Sequence, residues 1–194
     1  MTFDSKQLID DLSARVSRAS TAVARFRAMD DFLLNEKQDG ATWSVLECIE
    51  HLNLYGDYYL PEIERSILAG TKGTHGPDFK SGILGGYFAK LMQVSPDGRM
   101  KKMKTPRDKN PAGSLLTNLT IERFLNQQDR LLALLEQARR IDLTRAKTSV
   151  SISKFVRLRL GDTFRFFIYH IERHVMQAEK VAGHSVPLME RVSS

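Results

Sequence analysis

The chain has 194 residues, 42% of them hydrophobic, 27% charged and 8% aromatic. That length supports one globular domain over residues 1–194, and the composition excludes a disordered chain and, with no run near roughly 18 apolar residues, a membrane span. Of the net charge of +6, a net of +5 lies in residues 99–109 (RMKKMKTPRDK), so the rest is nearly neutral and a nucleic-acid footprint along one face is not expected.

The first residues, MTFDSKQLIDD, lack the basic start and apolar run of a signal peptide. Helical periodicity begins at about Ser5, with Asp4 or Ser5 as cap. Leu8, Leu12, Val16, Val23 and Phe26 share one face, and the spacing predicts a first helix over 5–34. NEKQDG (35–40) reads as a turn. Ser44 and Glu47 have the spacing of a capping box, with Trp43 and Cys48 placed for a hydrophobic staple across it. A second helix follows from Ser44, ending at Gly70 and kinked or broken at Pro61, which lacks an amide donor. The single Cys48 has no partner for an internal disulfide, and a reducing cytoplasm is the expected location.

More than 40 residues then separate the second helix from the third. This stretch is rich in glycine and proline, with a short helix expected over 81–92. It reads as a crossover, leaving the flanking helices parallel. The third helix is predicted over 117–140, and residues 148–160 alternate in the manner of an extended segment. The fourth is predicted over 162–182, with Gly183 as its C′ residue and Pro187 preventing restart. The expected fold is all-α, a four-helix bundle with a long crossover between helices 2 and 3.

Five histidines are present, and three carry a chemical argument. His170 and His174, in HIERH, stand at i and i+4, which puts both imidazoles on one face one turn apart. Two ring nitrogens so placed can bind one metal ion. A third imidazole, His51 of the second helix, would complete three ligands and leave positions open for substrate. The same residues also fit a plainer reading: two polar helix positions and one hydrogen-bonded histidine. Glu172 follows His170 at i+2, about 200° around the helix, so it reads as a salt-bridging residue and not as a base on a metal. His75 and His184 fall in stretches that read as exposed loops.

Two segments carry a family resemblance. W-S-V-L-E-C-I-E-H-L (Trp43 onward), with H-I-E-R-H-V-M-Q (His170 onward), resembles the DinB/YfiT-like metalloenzymes. The resemblance implies a four-helix bundle running up-down-down-up, often a homodimer. It also implies a divalent ion, zinc or nickel with iron or manganese as alternatives, held by His51, His170 and His174. Relatives of this kind include transferases joining a low-molecular-weight thiol to an electrophile, and thiol-dependent isomerases.

A metal held there would stabilise a thiolate as nucleophile, or instead activate water for hydrolysis. Glu47, one turn before His51, and Gln177, at i+3 from His174, are candidates to accept the rings' other N–H groups. A capping-box role already explains Glu47. Tyr55 and Tyr58 are candidate substrate contacts with packing as their alternative, and Cys48 is either a core residue or a fourth ligand. The basic stretch 99–109 is either a solvated loop or a cationic cover for the bundle mouth. Two functional classes therefore stand: a metal-dependent thiol transferase or hydrolase acting on a thiol and an electrophilic substrate, and a non-catalytic, stress-associated helical interaction module. A nucleic-acid role ranks third, since aromatic interleaving and a recognition helix are missing.

Overall fold

In the computed structural model, which describes residues 1–40, 42–70, 77–95, 103–151 and 153–185, Asp4 opens the first helix. Its side chain accepts the amide of Gln7 at 2.8 Å, and α1 runs Ser5–Ala24. The predicted single helix over 5–34 is corrected here. A 3-10 turn, Arg25–Ala28, follows α1, and Met29 is extended. Asp30 then caps a separate short helix, α2, Asp31–Asn35. The Asp30 side chain takes the amide of Phe32, so it offers the backbone a local partner that competes with continuing the first helix.

The capping box forms as read. Glu47 N donates to Ser44 Oγ at 3.1 Å and Ser44 N to Glu47 Oε2 at 3.0 Å. From it α3 runs Val45–Ala69 without a break through Pro61. Buried Leu60, Ile63, Ser66 and Ile67 anchor the helix on either side of the proline, and that packing outweighs the lost donor.

Two further helices hold most of the remaining core, α5 (Leu119–Ala138) and α6 (Leu160–Ser185). The last runs past Gly183, so His184 falls in a helical turn and not in a loop. α1 and α3 each pack on both α5 and α6. Ile9, Leu12, Val16, Ile49, Leu52, Phe124, Leu131, Phe164 and Phe167 fill the space between them. Each such side chain contributes roughly 1.5–3 kcal/mol by leaving water.

The expectation of an all-α chain is also corrected, because the mostly helical fold carries two small sheets. A strand at the start of the chain, β1 (Thr2–Asp4), pairs antiparallel with β2 (Asp78–Lys80) from the crossover, with Phe3 opposite Phe79. The alternating segment before α6 is a hairpin, β3 (Lys147–Val150) and β4 (Ser153–Arg159). Between the two sheets in the chain, α4 (Ile83–Met92) lies on α6. Gly85 makes that seat possible: a Cβ there would fall 2.5 Å from the side chain of the fully buried Asp162. Asp162 in turn accepts from Ser81 Oγ (2.6 Å), Gly82 N (2.7 Å) and Arg165 Nη1 (3.1 Å), which ties the crossover to α6. Among the described residues no helix is long and apolar enough to cross a membrane.

Candidate metal centre

α3 and α6 face each other where their histidines lie. His51 and His170 are buried and His174 is half-buried, and one ring nitrogen from each lies within 4.8 Å of the others. His51 Nε2 is 3.2 Å from His170 Nε2. Nitrogens at the corners of a tetrahedron, each about 2.0–2.1 Å from a central ion, are separated by about 3.3 Å, so this pair already has that spacing.

The orientation of two rings is fixed from outside the cluster. His51 Nδ1 donates to the backbone carbonyl of Lys109 at 2.6 Å. A carbonyl can only accept, so the proton sits on Nδ1 and Nε2 carries a bare lone pair. His174 Nδ1 donates to Gln177 Oε1 at 3.0 Å, which likewise leaves its Nε2 bare. The buried Nδ1 of His170 has no hydrogen-bond partner among the described residues. Such converging donors, two of them oriented by an acceptor on the far ring nitrogen, are the arrangement that metal-binding histidines use.

Protonation favours the same use. Burial pulls His51 down to about 4. It pulls His174 down to about 3, with His51 adding to the effect. Burial, then His174 and His51, holds His170 well below the ordinary histidine range. All three rings are therefore neutral at neutral pH and release no proton on meeting a cation.

Aromatic rings enclose the cluster. Trp43 packs on His51 and His174, at 4.7 and 5.7 Å between ring centroids. Tyr55 lies 5.0 Å from His51 and 4.5 Å from His170. A cavity of about 180 Å³ opens beside the three rings, walled by Tyr55, Tyr59, Phe88, Met92, Phe166 and Leu158, with Arg173 and the 103–106 stretch completing it.

Glu47 bonds no histidine; besides Ser44, its carboxylate accepts from Lys37 Nζ (2.7 Å) and Gly113 N (2.8 Å). Gln177 sits against His174 as described. Tyr58 is absent from the cavity wall and packs edge-on against Tyr59, which takes the place expected for it and reaches Phe166 and Phe167. Cys48 is a buried core thiol, driven above its ordinary range by burial, and is not in the cluster. Glu172 pairs with Arg15 on α1, at 3.0 and 2.9 Å. His75 lies outside the described residues, as do Lys101 and Lys102 of the basic stretch, while Met103 to Pro106 wall the cavity. Two contributors carry little signal in the sequence. The useful group of Lys109 is a main-chain carbonyl with no side-chain signature, and Arg173 is hidden between two histidines of one motif.

Residues 10–178, most of the chain, match the family model of the DinB superfamily. The chain belongs to the DinB superfamily. No curated protein and no solved structure matches it. Within this DinB-superfamily chain the histidine cluster and its cavity fall inside the matched residues.

Proposed function

We propose that the chain is a divalent-metal-dependent transferase that joins a low-molecular-weight thiol to an electrophilic carbon, with His51, His170 and His174 holding the ion. Bound there, a divalent ion would supply Lewis acidity and lower the pKa of a coordinated sulfur or oxygen. Three imidazole donors suit zinc or nickel. The observation that carries the reading is the pair of bare Nε2 atoms fixed by Lys109 and Gln177 beside an apolar cavity.

The same cavity favours a thiol over water as the nucleophile. No Asp or Glu is among the described residues that wall it, so those residues supply no carboxylate base. On a divalent ion a coordinating thiol is deprotonated outright, whereas metal-bound water still titrates at about 7–9, so the thiol asks less help from a base. Tyr55, raised to about 12 chiefly by burial, keeps its proton and serves as a hydrogen-bond donor. Trp43 and Tyr55 restrict water at the rings, while Phe88 and Phe166 provide an apolar bed for the electrophile.

The proposed scaffold is a four-helix bundle running up-down-down-up, and the order of contacts supports it. Along α3 and α5, Glu50 meets Arg123 and Glu64 meets Arg130, as in a parallel pair. Along α6, Arg15 of α1 meets Glu172 and Arg25 of the following 3-10 turn meets Glu179, again in parallel order. Against α5 the order reverses: Asp10 of α1 meets Arg139 at the C-terminal end of α5, and Arg27 of the 3-10 turn meets Glu122 near its start. A homodimer in a reducing compartment belongs to the same reading.

The test is thioether formation. Zinc-loaded protein is mixed with a small thiol and 1-chloro-2,4-dinitrobenzene; sulfur bonds to the ring carbon, chloride leaves and the thiol proton passes to water. A rate above that of a His170→Ala variant supports the reading. Thiol-independent hydrolysis of an activated ester, without thioether formation, contradicts it.

A further inference from the structure

The wall of the histidine cavity is uneven in charge. Phe88, Met92, Leu158 and Phe166 are apolar, while Arg173 and Lys104 are cationic, and no acidic side chain is among the described wall residues. Arg173 is 8% exposed, so its guanidinium acts in a low-dielectric setting where charge discrimination is strong. Among the described wall residues the charged side chains, Arg173 and Lys104, repel a cationic ligand. An anion gains a charge-assisted bond to a planar donor fork that suits a carboxylate.

Size narrows the ligand further. An apolar cavity of about 150 Å³ takes a benzene-sized molecule, and this one measures about 180 Å³. The rings of Phe88 and Phe166 stand 6.3 Å apart in an edge-on arrangement, and Phe166 is parallel to His170 at 6.2 Å. Such surfaces favour flat or slender apolar groups.

We propose that the cavity takes a small apolar carboxylate, an aryl or short alkyl body with one anionic end, and that Arg173 is the residue that selects the charge. The inference deepens the reading of this cavity as the functional site. In a transferase this ligand is the electrophilic substrate or the thiol's own apolar tail, and in either case its anionic end is read by Arg173.

The experiment is calorimetric titration of octanoate, 1-octanol and octylamine into metal-free and zinc-loaded protein, with metal content measured on each sample. Octanoate is expected to bind about tenfold or more tightly than either neutral or cationic analogue in the metal-free protein, where no ion competes for the carboxylate. Arg173→Met is expected to erase that preference while leaving 1-octanol affinity within about twofold, and Arg173→Lys to retain part of it. Equal affinity for octanoate and octylamine in the wild-type protein overturns the proposal, even if the variants do not fold. So does an unchanged preference in a folded Arg173→Met. Loss of metal binding with the octanoate preference intact would sink the metal reading alone, and the reverse result would sink this one alone.

Discussion

The backbone carbonyl of Lys109 lies 2.6 Å from Nδ1 of His51. A residue at the end of the long crossover thereby sets the tautomer and ring angle of a histidine on α3. Lys109 is itself anchored to α3, because its ammonium donates to the carbonyl of Leu54 at 3.0 Å and sits over the Tyr55 ring. The crossover is thus part of the site's framework as well as a connection.

Lys109→Met removes that anchor and leaves the carbonyl on a looser segment. Metal affinity is expected to fall by about tenfold, at the low end of what losing an outer partner costs, with little change in helix content. Chelator competition against circular dichroism separates the two effects. Unchanged affinity would mean that the carbonyl holds its place without the ammonium.

Gln177→Leu strands the Nδ1–H of His174. Its expected cost is about 10–100-fold in metal affinity. Gln177→Glu keeps an oxygen acceptor at the same reach and is expected to recover most of it. Equal losses in the two variants would show that volume, and not hydrogen bonding, is what His174 needs.

Glu47 provides a pH signature in stability. Burial pushes its carboxyl up, but the Lys37 ammonium and the amides of Ser44 and Gly113 outweigh burial and hold it below its ordinary value. A carboxylate depressed on folding stabilises the native state above its unfolded pKa of about 4.3, and that contribution fades as pH falls through the folded value. Glu47→Gln is therefore expected to cost about 1–3 kcal/mol at pH 7. The gap to wild type should narrow as pH falls below about 4. Urea titrations at pH 7 and pH 3.5 check both halves; a gap independent of pH would refute the ionic account.

Gly85→Val tests whether the cavity depends on the seat of α4. The added side chain begins 2.5 Å from Asp162, and crowding of this kind costs about 1–3 kcal/mol. Phe88 and Met92 ride on α4, so octanoate affinity should fall while metal stoichiometry stays the same. Loss of metal together with octanoate would show that the two sites are not separable.

How much was legible in the sequence depends on whether a feature is local. The i, i+4 pair His170 and His174 and the capping box of Ser44 and Glu47 are set by helical repeat, and both were readable. The break after Ala24 was not, because Phe26 continues the apolar spacing and masks the cap signal of Asp30. β1 against β2 joins three-residue strands some 75 positions apart, a pairing without local pattern. Tyr59 in place of Tyr58 follows from how α6 crosses α3: Tyr55 and Tyr59, at i and i+4, stack their rings in parallel, and Tyr59 reaches Phe166 and Phe167. A helix repeat alone does not fix that crossing.

The central claim is that three neutral imidazoles hold one divalent ion. Mass-spectrometric metal analysis of protein purified without chelator, beside a His51→Ala/His170→Ala variant, tests it most directly. About one zinc or nickel ion per chain in the wild type, lost in a folded double variant, is the predicted result. No bound ion, and no uptake after zinc, nickel, iron or manganese is supplied, would contradict it.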